Sequence, residues 1–198
     1  MKNESITRDR RTGAEFSCLK DRLRLMLPYA GIPIVTAALL ALRLGRMDTF
    51  TLLMYVMIAI FGYVVAVTDV KSRLIPNDLI VSMFAAWAIV TTPMLFLDID
   101  AAVTRLIESV IGFAVSGGLF LLVYLISKNG LGGGDVKLMA AVGLYLGFRG
   151  AVPAMLYGTV LAALTGLALV LLKKIGRKDR IPLAPFLYAG ILITVFLS

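Results

Sequence analysis

The chain has 198 residues, of which 60% are hydrophobic and 16% charged, with a mean hydropathy of +0.92. A soluble domain carries about half apolar and about a quarter charged residues, so the composition excludes an ordinary soluble fold and makes lipid the main solvent. Histidine is absent and Cys18 is the single cysteine, which excludes Ser-His-Asp and Cys-His catalysis, His-ligated metal sites and an intramolecular disulfide.

Residues 1–26 are polar and mixed in charge and read as a short cytoplasmic tail. A cleaved signal peptide is not expected, because the polar region before Leu27 is overlong and no small-residue cleavage site follows. Seven apolar blocks come next: Leu27–Leu44, Phe50–Thr68, Leu79–Leu97, Ile107–Ile126, Leu131–Phe148, Ala151–Leu172 and Ile181–Ser198. Each approaches the roughly 20 residues that cross a bilayer core as a helix. Helix is the expected state, since an open sheet leaves backbone groups unpaired in lipid. The expectation is an all-α polytopic membrane protein of about seven transmembrane helices. Residues 27–49 form an extra helix and outer loop, and residues 50–198 form a six-helix core.

The basic residues orient this bundle. With the N-terminus in the cytoplasm, sixteen of the 20 Lys and Arg residues lie inside, and Arg43, Arg46, Arg105 and Arg149 are left at the outer edge. That asymmetry is the positive-inside signal, and it accounts for the net charge of +8 without nucleic acid as a partner. The run Lys173–Arg180 belongs to the same signal, with contact to anionic lipid head groups as a secondary role. Arg105 and Glu108, three apart, are expected to pair on one helix face.

Asp69 ends the second block and Asp135 opens the fifth, so the orientation puts both at the cytoplasmic surface. Ionisable groups at a membrane edge are expensive and usually functional. Asp69 begins Asp69-Val70-Lys71-Ser72-Arg73-Leu74-Ile75-Pro76-Asn77, where Pro76 stops helical geometry and biases Ile75 toward an extended conformation. Asp135 closes Gly130-Leu131-Gly132-Gly133-Gly134-Asp135 and is followed by Val136-Lys137-Leu138, so Gly134 delivers it to the first turn of a helix. Taken singly, Asp135 reads equally well as a helix N-cap, and Asp69 as an interfacial residue paired with Lys71 or Arg73. The glycine run lacks the spacing of a phosphate-binding loop.

The segment Asp69–Asn77, together with Gly132-Gly133-Gly134-Asp135-Val136-Lys137-Leu138, closely resembles the type IV prepilin peptidases, which are GxGD aspartyl proteases. The run Ile181-Pro182-Leu183-Ala184-Pro185-Phe186 resembles a family segment that opens the last helix. The resemblance implies Asp69 and Asp135 as the catalytic pair. Gly132, Gly134, Lys137, Ile75, Pro76, Asn77, Pro182 and Pro185 are implied as site-shaping or substrate-binding positions, with no metal and no cofactor. It also implies a multi-pass protein of a bacterial or archaeal inner membrane that cuts the basic leader from pilin-like precursors at the cytoplasmic face. Larger members carry paired CxxC motifs and methylate the mature pilin. This chain lacks those cysteines and resembles the short form associated with Flp or Tad pili, for which methyl transfer is not expected.

Two nearby carboxylates tend to share one proton and titrate as a unit. The ionised member then serves as general base on a water, while the protonated one polarises the scissile carbonyl. A proton-coupled transporter, a non-catalytic assembly factor of a secretion machine and a presenilin-like protease are the alternatives. The chain shows no internal repeat of the kind common in transporters, and Ile75-Pro76-Asn77 favours the prepilin branch over the presenilin one.

Overall fold

The computed structural model describes residues 31–43, 48–127, 131–173 and 181–197. The expected cytoplasmic tail and most of the basic run lie outside these residues. The described part is built from helices: α1 (Gly31–Arg43), α2 (Thr49–Ser72), α3 (Asn77–Leu97), α4 (Ile99–Ile126), α5 (Gly133–Leu171) and α6 (Ala184–Leu197). Four of them, α2 to α5, are long and apolar enough to cross a membrane, whereas α6 is a shorter apolar helix. Their outer faces are apolar, with Ile89 at 72% exposure and Leu125 at 69%. An exterior of this kind suits a protein surrounded by lipid.

Local chemistry sets the helix ends. Asp48 caps α2 by accepting from the Thr51 N–H at 3.2 Å and the Thr51 hydroxyl at 2.6 Å, satisfying a donor that the helix start leaves free. At the other end Arg73 adopts a left-handed conformation, φ 52°, and its N–H donates to the Asp69 carbonyl at 2.8 Å. Pro76, extended at φ −62° and ψ 137°, separates α2 from α3, as the sequence predicts. Asp98 caps α4, which therefore begins eight residues before the expected Ile107. At 28 residues, α4 is about 42 Å long, well beyond the roughly 30 Å of hydrocarbon. The polar first turns that the apolar pattern omits thus form a helical extension past the membrane core.

The fifth and sixth expected blocks are joined as α5, which is interrupted at Gly147 (φ 62°, ψ −177°). Contacts on the two sides of that glycine run in opposite senses. Before it, the position of Gly134 abuts Ile75 and the Tyr145 hydroxyl donates to the Met83 carbonyl, so the chain runs parallel to α3. After it, Gly158 packs on Leu187, Ala154 on Gly190, and Gly166 faces Ile181, so the chain runs antiparallel to α6. The chain therefore turns back at Gly147 with a single non-helical residue. Only glycine adopts that backbone conformation readily.

Small residues let the helices close up. A side chain on Gly112 of α4 would strike the Gly143 carbonyl and the Gly147–Phe148 peptide of α5. Hydroxyls lock the same contact: Ser116 Oγ donates to the Met139 carbonyl at 2.8 Å and Ser109 Oγ to that of Leu144 at 2.8 Å. Close backbone approach and interhelical hydrogen bonds replace hydrophobic burial as the adhesive between helices in lipid. The core between them holds Ile58, Met83, Leu138, Met139, Val142 and Leu187, all buried.

One expected ion pair is corrected. Arg105 pairs with Asp48 of α2 at 2.8 Å, not with Glu108, and its guanidinium lies 5.8 Å from the centroid of Phe50. The interhelical carboxylate and the ring together outcompete the neighbour on the same helix.

Candidate active site

Asp69 lies near the C-terminal end of α2, where the helix dipole disfavours a negative charge. It is nevertheless buried, at 7% exposure. The compensation comes from 115 residues away: the Ala184 N–H donates to Asp69 Oδ2 at 3.0 Å. Ala184 is the first residue of α6, so its N–H has no acceptor within the helix and is free to serve an anion. The expected alternative for Asp69, an interfacial pairing with Lys71 or Arg73, gives way to this backbone donor. Lys71 and Arg73 are exposed.

Asp135 stands in the first turn of α5. Its Oδ2 accepts from the Gly132 N–H at 3.3 Å, and its own N–H donates to the Gly132 carbonyl at 3.1 Å. The carboxylate thus folds back onto the turn that precedes it and sits at a helix N-terminus, where negative charge is stabilised. Asp135 is half-buried, and the charge on Asp69 lies within electrostatic range of it. Both carboxylates therefore lie at one end of the bundle, each with a backbone N–H on one oxygen.

The glycines divide their labour. A Cβ on Gly134 would come within 3.0 Å of Ile75 Cβ, and one on Gly132 within 3.0 Å of Asp135 Oδ2. The absence of side chains there lets the Asp69–Asn77 loop and the Asp135 carboxylate approach the turn. Gly133 has nothing within 4 Å of its Cβ position and is the open face of the turn. The two loops are tied a second time, since Lys137 Nζ donates to Asn77 Oδ1 at 2.8 Å.

The structure therefore brings together Asp69, Asp135, Ile75, Gly132 and Gly134, with Asn77 and Lys137 paired alongside. Pro76 sets the start of α3. Pro182 and Pro185 are half-buried and flank the Leu183–Ala184 step. Sequence reasoning missed Ala184, which acts through its backbone. The signal available for it was the pair of prolines, since neither has an N–H to give. Among the described residues, no three of His, Cys, Asp and Glu are grouped in a way that could hold a metal ion.

The fold and this arrangement define a polytopic, all-α membrane protein with two carboxylates gathered at one end of its helices. The chain belongs to the type IV leader peptidase family, whose profile matches residues 53–167. It is 32% identical over 174 residues to the prepilin leader peptidase/N-methyltransferase of Bacillus subtilis, covering 84% of this chain and 65% of that protein. Proteins of the same name are similar in Legionella pneumophila, at 32% identity over 130 residues, and in Aeromonas hydrophila, at 28% over 120. They are matched over 44% and 40% of their lengths, and over 65% and 60% of this chain. The chain thus spans less than two thirds of these relatives. No solved structure matches it significantly.

Proposed function

We propose that this chain is an aspartic endopeptidase of the inner membrane that removes the basic leader from pilin-like precursors at the cytoplasmic face. The catalytic core is residues 50–198. The observation that supports this most directly is the convergence of three separate segments on two carboxylates: the end of α2 supplies Asp69, the first turn of α5 supplies Asp135, and the start of α6 supplies the Ala184 N–H. The cytoplasmic orientation rests on the sixteen basic residues that one topology puts inside.

In the proposed reaction, one carboxylate is ionised and takes a proton from a water as that water attacks the scissile carbonyl carbon. The other carboxyl is protonated and donates a hydrogen bond to the carbonyl oxygen. The tetrahedral intermediate collapses when the leaving amine receives a proton from the pair. The Ala184 and Gly132 N–H groups each hold one carboxylate oxygen, which fixes the remaining oxygens toward the substrate. The exposed edge of Gly133 leaves room for an extended peptide beside Asp135. An apolar groove of about 520 Å³ between α3, α4 and α5 begins at Asn77 and Lys137 and runs past Phe84, Phe113 and Gly118. It offers a seat for the apolar helix that follows the cut.

The test is cleavage of a precursor in membranes carrying Asp69→Asn or Asp135→Asn, which keep size and an acceptor oxygen but remove proton exchange. Either change should abolish processing, and the double variant should be no worse than either single one, as for residues that act as a unit. Asp78→Asn, at an exposed position, should keep most of the activity. Processing at near wild-type rate by a normally inserted single variant refutes the proposal.

A further inference from the structure

At the end of the bundle opposite the aspartates the helices part around a cavity of about 830 Å³. Thr51 on its wall is eighteen residues before Asp69 on α2, which is about 27 Å along the axis. The fully buried side chains of Ile58, Met83, Met139 and Val142 lie between, so this space is separate from the proposed active site. Its existence follows from the reversal at Gly147, which swings Arg149, Gly150 and Pro153 aside to form one wall.

The lining is divided by depth. Met54, Leu144 and Tyr145 are buried and Trp87 half-buried, which makes an apolar and aromatic floor, whereas Asp100, Glu108 and Arg149 are exposed and Arg105 half-buried, which puts them at the rim. Arg105 is already committed to Asp48 and Phe50. Among the described residues, the Arg149 guanidinium and the Glu108 carboxylate have no side-chain hydrogen bond or ion pair. Among the described residues, one unpaired cation and the unpaired carboxylates of Glu108 and Asp100 therefore face the same cavity, above an apolar floor.

We propose that this cavity binds the head of a zwitterionic phospholipid that carries a phosphate and a primary ammonium. Arg149 takes the phosphate as a planar fork, Glu108 and Asp100 accept from the ammonium, and the upper part of one acyl chain covers the aromatic floor. The volume falls within the roughly 300–1,000 Å³ of ordinary ligand sites. It suits a head group with a segment of chain rather than a whole lipid. The pairing of opposite charges selects against a purely anionic head, which satisfies Arg149 but brings no ammonium to Glu108.

The experiment uses delipidated full-length protein in detergent, with thermal unfolding followed during titration of phosphatidylethanolamine, phosphatidylglycerol or soluble glycerophosphoethanolamine. Phosphatidylethanolamine should raise the melting temperature saturably and at lower concentration than phosphatidylglycerol, and the soluble head group alone should give no shift in the same range. Arg149→Gln should weaken the phosphatidylethanolamine response by about tenfold or more, the loss expected for a charge-assisted contact. Glu108→Gln should weaken it while leaving the phosphatidylglycerol response unchanged or stronger. If Arg149→Gln fails to fold, Arg149→Lys keeps the charge without the fork and should give an intermediate weakening. Equal responses to the two lipids, or responses untouched by both rim substitutions, overturn the proposal. An equal response to the soluble head group overturns the part played by the acyl chain.

Discussion

Gly134→Ala tests how tightly the two halves of the candidate site are pressed together. The added methyl would lie 3.0 Å from Ile75 Cβ, 3.3 Å from Cγ1 and 3.4 Å from Cδ1. Carbon atoms in favourable contact sit at about 3.5–4.0 Å, so the Asp69–Asn77 loop must retreat by about half an ångström or more. Overpacking of this kind costs typically 1–3 kcal/mol. Because Ile75 follows Asp69 by only six residues, the retreat also moves one carboxylate relative to the other. A misplacement of about 1 Å is enough to cost roughly 100-fold in rate, so precursor cleavage should fall by about tenfold or more. Gly133→Ala is the matched control, since its Cβ position is open. Its melting temperature should hold or rise, because alanine is favoured over glycine by about 0.5–1 kcal/mol in a helix. Its cleavage should nevertheless fall if substrate passes over that face. Adding Ile75→Ala to Gly134→Ala removes the Cγ1 and Cδ1 contacts but keeps the closest one, to Cβ, so the double variant should recover little of the lost stability. The packing argument is refuted if Gly134→Ala melts and cleaves like the parent protein.

Gly147→Ala forces a side chain into a backbone conformation suited to glycine and should destabilise the protein by about 1–3 kcal/mol, read as a lower melting temperature in detergent. Gly118→Leu adds bulk where the Cβ position has nothing within 4 Å, so melting should be unchanged while processing of a membrane-embedded precursor falls. Unchanged processing would remove the groove as the seat of the substrate helix. Burial pushes the Asp48 carboxyl up, but the Thr51 hydroxyl and N–H and the Arg105 guanidinium outweigh it and hold it below its ordinary value. A lowered carboxylate pKa contributes stability that is present at neutral pH and lost as pH falls below about 4. The difference in melting temperature between the parent and Asp48→Asn should therefore shrink on acidification, and it should be small because the pair is exposed. With no histidine and one cysteine in the chain, EDTA should leave cleavage intact, and a loss restored by added zinc or magnesium would refute the two-aspartate mechanism.

The helical fold was legible, and Asp69 and Asp135 stood out as candidates, because each has a local signature. Long apolar blocks fix the helices, and Asp69 and Asp135 stand at block ends beside a proline and a glycine run. The start of α4 was not legible from hydropathy, since Ile99–Leu106 includes Asp100 and Arg105 and reads as loop. The Asp98 cap, visible in the sequence, is what begins the helix there. The turn at Gly147 was hidden for a different reason. Arg149 and Gly150 look like a short connection between two helices, whereas the reversal occupies one residue just before them. Arg105 was assigned to Glu108 because sequence proximity is visible and the approach of α2 is not.

The contact that completes the Asp69 environment leaves the weakest trace of all. Ala184 has no functional side chain and lies 115 residues from its acceptor. Its role follows from what its neighbours lack. Pro182 and Pro185 have no N–H, and the N–H groups of the first helical turn have no acceptor inside the helix. Leu183 and Ala184 are therefore the donors left between the two prolines, and the proline at the second position of α6 loses nothing by lacking one. A search by side-chain chemistry ranks Pro182 and Pro185 above Ala184. A count of backbone donors reverses that order, because only a residue with a free N–H at the start of α6 can hold a buried carboxylate that its own helix end repels.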